Sequence, residues 1–357
     1  MSIIISKNGE DAERVEKSSF DKEDYLQEYI YKNPESIPLY DIREDIRLLI
    51  LAREFPTNSG PIDAIGIDKE GEIYIIETKL YKNSDKRTVV AQALDYGAAL
   101  WKHSNDFNEF LSIIDRSIQK VFNLSINEKL KEYFSLSEEE LVSLLEKVKG
   151  NLDDGVLRFV ILMDKLDSRL KDLILYVNQN SQFDIYAVEL EYYKHREYEI
   201  IIPKIYGAEV KKDIGVKSSG NSARRKWTGE EVLEKAKSTL SHETFTAFKK
   251  LFNFSKENAD EVKFGSGTTR GSFGPVFSKV CDRTIFTITT DGFFSPNFGW
   301  INGSEEAIKI RNKFFKELNE IGFNFIEENL EKFPSVNSTI WVPKSEDIMR
   351  VVKKITS

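Results

Sequence analysis

Asp63, Glu77 and Lys79 have the types and the spacing to hydrolyse a phosphodiester bond. Two carboxylates hold a divalent cation through oxygen, the ligand atom that Mg²⁺ prefers. A cation so held polarises a scissile phosphate and lowers the pKa of a bound water. A lysine beside it orients or deprotonates that water and offsets the charge building on the phosphate. Glu77 and Lys79 are two apart in the extended run Ile73-Tyr74-Ile75-Ile76-Glu77-Thr78-Lys79, so both side chains leave one face of a strand. Asp63 interrupts the preceding apolar run, across a short hairpin from Glu77. Ionised carboxylates among Ile, Ala, Gly and Tyr are expensive to desolvate unless something pairs with them. Gln92 and Tyr96 lie four apart in the next helical segment and share one of its faces.

The elements that must position these groups are legible in outline. Residues 20–33 read as a helix stopped by Asn33-Pro34. An extended run at 45–56 leads through the turn Thr57-Asn58-Ser59-Gly60 to a strand at 61–68. Lys69-Glu70-Gly71 closes a hairpin onto a second strand, residues 72–80, and a helix follows at 86–103. The charged stretch 104–155 is helical, with a helix start at Ser137-Glu138-Glu139-Glu140. Residues 158–163 form a buried strand by their unbroken apolar run, followed by a helix at 168–178, a strand at 183–190 and an edge strand at 198–203.

With these elements in place, Gly60-Pro61-Ile62-Asp63, a gap of fourteen positions, and then Glu77-Thr78-Lys79 resemble the signature of the PD-(D/E)XK nucleases. Gln92-Ala93-Leu94-Asp95-Tyr96 is similar to the Q-x-x-x-Y element of the RecB-like members. The wider stretch from Arg53-Glu54-Phe55 looks most like the nuclease domain of the NucS/EndoMS type. Leu26-Gln27-Glu28 with Asn33-Pro34-Glu35 resembles the opening helix of those domains, where a glutamate can complete the metal site. The resemblance covers roughly residues 20–105, with 156–205 completing the same sheet. It implies an α/β fold with a restriction-endonuclease-like mixed sheet flanked by helices. It also implies Mg²⁺ or Mn²⁺ as cofactor, held by Asp63 and Glu77 with Glu28 and Glu54 as further candidates. Lys79, Gln92 and Tyr96 then complete the catalytic set. DNA is the implied partner, and bacterial defence or DNA repair the implied setting, by analogy alone.

The bulk composition sets limits on that picture. A length of 357 residues favours two domains. We expect the nuclease-like domain over 1–207, with a helical insert at about 104–155. A basic, flexible linker over 208–226 would lead to a smaller α+β recognition or regulatory domain over 227–357. A single cysteine, Cys281, forms no internal disulfide, and with three scattered histidines it argues against a structural zinc site. No run of about 18 apolar residues exists to span a membrane, and the N-terminus is too short for a signal peptide's apolar region. A cytoplasmic protein is therefore expected, alone, as a homodimer or with a partner protein. The net charge of −8 tells against nucleic-acid binding, which usually shows as a basic excess. The rival reading is a catalytically silent nuclease fold that binds or senses nucleic acid. Three other features have plainer readings than a ligand site. The glycine-rich segment 265–272 lacks the Gly-Lys-Ser/Thr ending of a phosphate loop. The aromatic run 293–300 reads as core, and Arg224-Arg225-Lys226 as part of a soluble linker.

Overall fold

The computed structural model describes residues 2–42, 46–83, 88–103, 106–181, 183–207, 227–265 and 270–356. The expected linker at 208–226 and the centre of the glycine-rich segment lie outside the described residues. The chain is α/β, and its described residues divide into two compact units. One comprises residues 2–42, 46–129 and 139–207; the other comprises 130–138 and 227–356.

The first unit is built on an eight-stranded mixed sheet: β1 (Ser2–Lys7), β2 (Glu10–Ser18), β3 (Leu49–Phe55), β4 (Ile62–Ile67), β5 (Ile73–Lys79), β6 (Leu157–Met163), β7 (Ile185–His195) and β8 (Tyr198–Tyr206). The order runs β1-β2-β7-β6-β5-β4-β3, with β8 also paired to β7. Strands β5, β6 and β7 are parallel neighbours, and the remaining pairs are antiparallel. Parallel neighbours need crossovers. The one from β5 to β6 contains α2 (Thr88–His103), α3 (Phe107–Phe122), α4 (Ile126–Phe134) and α5 (Glu138–Asp153), and the one from β6 to β7 is α6 (Ser168–Asn180). Before β3, helix α1 (Glu23–Lys32) buries Leu26 and Ile30 in a cluster with Tyr74, Ile76, Val160 and Val188.

Period-two alternation along β5 and β6 assigns the faces. The even-numbered residues of β5 face α1. The odd ones, Ile75 with Phe159 of β6, face α2, where Gly97 lies so close that a Cβ there would come within 2.7 Å of the Phe159 ring. Glu77 and Lys79 belong to this α2 face. Two turns set the registers around them. Gly60 closes the β3–β4 hairpin at φ +117, and Gly71 closes the β4–β5 hairpin at φ +77, conformations that a side chain resists. The second hairpin is pinned by Asp68, whose Oδ1 accepts from the backbone N–H groups of Glu70 and Glu72. Residues 2–18, which no sequence periodicity marks, form the β1–β2 ribbon. Its second strand, Glu-Asp-Ala-Glu-Arg-Val-Glu-Lys-Ser, is too charged to read as a strand.

The second unit carries a four-stranded antiparallel sheet, ordered β12 (Phe294–Pro296), β11 (Phe286–Thr289), β10 (Ser272–Val276) and β9 (Glu261–Phe264). Its helices are α7 (Gly229–Thr239), α8 (His242–Asn258), α9 (Glu305–Glu320), the short α10 (Ser338–Trp341) and α11 (Ser345–Thr356). Thr228 and Glu231 close α7 with reciprocal capping bonds. The core is aromatic: Phe248, Phe286, Phe294, Phe298, Phe314 and Trp341 are all fully buried, so the run 293–300 contributes to packing. No helix among the described residues is long and apolar enough to cross a membrane.

Candidate active site

Strand β4 begins with Ile62-Asp63 and β5 ends with Glu77-Thr78-Lys79. The antiparallel register Ala64–Ile76 brings those ends together. Asp63 Oδ2 accepts two hydrogen bonds from Thr78, one from the backbone N–H and one from the hydroxyl, each 2.7 Å. The Thr78 hydroxyl in turn accepts from Gln27 Nε2 at 3.3 Å, and Gln27 Oε1 accepts from Arg53 Nη2 at 3.3 Å. Arg53 is anchored to the Asp24 carboxylate. A relay from β3 through α1 thus fixes the rotamer of Asp63 from behind.

Glu77 is treated in the opposite way. It is 0% exposed, and neither carboxylate oxygen has a hydrogen-bond partner. Lys79 Nζ lies 3.2 Å from its Oε1. Burial, and then the negative charge of Asp63, push the Glu77 carboxyl up to about 8, against the pull of Lys79. Burial alone would lower the pKa of Lys79; the Glu77 carboxylate, followed by Asp63 and Glu23, outweighs it and raises it. Lys79 is therefore an ammonium at neutral pH.

Helix α2 supplies the third side. Gln92 Nε2 donates to the Tyr96 hydroxyl at 2.7 Å, and the Tyr96 ring stands beside Gly60. Burial raises the Tyr96 pKa, the Gln92 bond opposes this, and the charges of Glu77, Asp63 and Lys79 all act on it. The structure therefore gathers Asp63, Glu77, Lys79, Gln92 and Tyr96 at one end of β4 and β5.

The two remaining acidic candidates are placed differently. Glu28 projects from the outer side of α1, where it pairs with Lys32 at 2.6 Å with its side chain 44% exposed. It is not brought to Asp63 and Glu77. Glu54 falls between the pairs Arg53–Ala64 and Phe55–Ile62, level with Asp63, but it is exposed. Its φ of +49 is a left-handed conformation that costs a non-glycine residue roughly 1–2 kcal/mol. Among the described residues, no three His, Cys, Asp or Glu side chains gather into a group that could hold a metal ion. Any cation here would have Asp63 and Glu77 as its carboxylate ligands.

Helix α1 does contribute a glutamate, one turn earlier than expected. Glu23 Oε1 accepts from the Leu80 backbone N–H at 3.1 Å, and its Oε2 lies 3.9 Å from Lys79 Nζ. Glu23 and Gln27 are four apart, one helical face turned to the end of β5. That spacing was the available signal. The helix starts at Glu23, three residues later than the sequence reading from residue 20. Comparison with known protein families, with curated proteins and with solved structures returned no match to this chain in any of the three.

Proposed function

We propose that the first unit is a divalent-cation-dependent phosphodiesterase acting on DNA, with a restriction-endonuclease-like fold. In this reading the second unit supplies substrate recognition or regulation. One observation carries the proposal: Glu77 is wholly buried beside a second carboxylate, Asp63, with the Lys79 ammonium 3.2 Å from one of its oxygens as its close polar neighbour. A carboxylate so placed is costly unless a partner joins it. Among the ligands that two carboxylates would accept, a hard cation fits the all-oxygen donor set. When bound, Mg²⁺ or Mn²⁺ would supply Lewis-acid polarisation of the phosphate and a more acidic water.

The chain's own residues do the rest. Asp63, held by Thr78, keeps one carboxylate oriented whether or not a cation is present. Glu77 carries a proton near neutral pH and must release it on taking up a cation, so occupancy rises with pH. Lys79, as an ammonium, orients the attacking water and offsets phosphate charge, and is the wrong protonation state to abstract a proton. Gln92 and Tyr96 present paired polar groups to substrate from α2. DNA as the substrate rests on the resemblance of Asp63, Glu77-x-Lys79 and Gln92-x-x-x-Tyr96 to the PD-(D/E)XK signature.

The test is incubation of wild type and Lys79→Ala with Mn²⁺ and a panel of plasmid, single-stranded and mismatched DNA. Cleavage by wild type alone is expected. Equal activity of the two proteins refutes the assigned role of Lys79. A wild type that binds Mn²⁺ yet cuts nothing points instead to a silent, nucleic-acid-sensing fold.

A further inference from the structure

A β-sheet edge offers a row of unpaired backbone N–H and C=O groups, and folded proteins usually blunt it. Two of the three edges in the first unit are blunted. Along β3 runs α3, with Phe110 against Phe55 at 5.5 Å between ring centroids and Ser117 accepting from the Tyr31 hydroxyl that also reaches Leu51. Strand β8 carries Pro203, which has no N–H to offer, and Lys204. The third edge, β1, holds no proline, and among the described residues it pairs with no strand but β2. Its centre is Ile3-Ile4-Ile5, and Ile4 is 72% exposed.

The ribbon that ends in this edge is weakly supported. Strand β2 joins the sheet only through Lys17–Tyr193 and Ser18–Tyr192, and most of the ribbon faces solvent. A two-stranded ribbon is marginal alone in water, and one edged with three β-branched residues gains from another strand.

We propose that β1 pairs with β1 of a second copy of this chain, antiparallel, about a two-fold axis through Ile4. Symmetry selects the register. An axis perpendicular to the sheet must pair residues of like face, so partners sum to an even number. Only the register centred on Ile4 opposes every isoleucine with an isoleucine: Ile3 with Ile5, Ile4 with Ile4, and Ile5 with Ile3. Ser2 then faces Ser6. Centring on Ile3 sets Ile4 against Ser2 and Ile5 against Met1, and centring on Ile5 sets Ile4 against Ser6 and Ile3 against Lys7. The Ile4 register also separates the two Lys7 residues by about 20 Å at the rise of a strand. Parallel pairing in register would stack them. The edge is thus self-complementary in shape and charge, and with the other two edges blunted, pairing stops at a dimer.

Two measurements test this with the full chain. By sedimentation equilibrium at about 100 µM, wild type should show twice the chain mass of 41.2 kDa and Ile4→Lys should show that mass itself. In a Cys281→Ser background, which removes the chain's single cysteine, Ile4→Cys should oxidise to a covalent dimer and Lys7→Cys should not. Direct cross-strand neighbours approach to about 5 Å between Cβ atoms, whereas residue 7 has its copy about four times farther away. A monomeric wild type, an Ile4→Lys variant that remains dimeric, or equal cross-linking of the two cysteine variants would overturn the proposal. Because Ile4 is solvent-exposed, unfolding of Ile4→Lys is not expected, and the cross-linking arm stands independently of it.

Discussion

Strands β5 and β6 have buried ionisable groups near both ends, and the two ends handle them in opposite ways. At the N-terminal end, Arg158 is 5% exposed and is clamped between Glu72 at 3.2 Å and Asp184 at 2.7 Å. At the C-terminal end, Glu77 is 0% exposed and has Lys79 Nζ 3.2 Å from one oxygen, five residues along the chain from Glu72. A fold that satisfies one buried charge with two partners has the means to satisfy another. The difference separates a structural ion cluster from the proposed cation site. In open α/β sheets ligands bind outside the carboxyl ends of the parallel strands, and Glu77 is at that end.

The largest effect that could break the contrast is on catalysis. Glu77→Gln keeps the shape and removes the charge; it should lower Mn²⁺-dependent DNA cleavage by about 10³-fold or more, the loss of roughly 4 kcal/mol of transition-state stabilisation. Its melting temperature at pH 8 should stay level or rise. Cleavage within tenfold of wild type would make Glu77 an ordinary buried residue. At the other end the prediction inverts. Arg158→Met removes the cation shared by two carboxylates and should cost about 3–5 kcal/mol in urea unfolding. If that variant unfolds at the wild-type urea concentration, the two ends are not different in kind.

The contrast also has a pH signature. Glu77 binds its proton more tightly in the folded chain, at about 8, than at its ordinary value of 4.5. Its contribution to stability is therefore complete below pH 4.5 and is lost as pH rises towards 8. In cation-free buffer, wild type should lose up to about 4 kcal/mol relative to Glu77→Gln across that window. Parallel pH profiles for the two proteins would contradict the assignment.

What the sequence disclosed and what it withheld have separate physical causes. Asp63, Glu77, Lys79, Gln92 and Tyr96 were legible because each sits in a locally patterned element, and strand and helix periods alone place them on common faces. That β6 is a buried strand was legible from the apolar stretch at 158–163, whereas its parallel pairing with β5 and β7 was not. Glu23 was not legible, since its contact with the Leu80 N–H spans 57 residues of the chain. Glu28 looked equivalent on composition, yet its place on the helix turns it to solvent. The β1–β2 ribbon escaped because β2 lacks the alternation that burial imposes, being almost wholly exposed.

Smaller substitutions sharpen the account. Tyr96→Phe removes the hydroxyl that Gln92 holds, and should reduce cleavage about fivefold while changing stability by about 1 kcal/mol or less. Glu23→Gln should reduce cleavage about tenfold by loosening Lys79, whereas Glu28→Gln should leave activity unchanged and move stability by less than about 0.5 kcal/mol. Equal effects at positions 23 and 28 would mean that α1 has been read on the wrong face.

The most direct test of the central claim is Mn²⁺ binding at pH 8, followed by the electron paramagnetic resonance signal of the free ion. Wild type should bind Mn²⁺, with affinity that falls as the pH is lowered towards 6 and Glu77 regains its proton, and Glu77→Gln should not bind it. A wild type that binds no Mn²⁺, or a Glu77→Gln protein that binds it as well as wild type, would contradict the account.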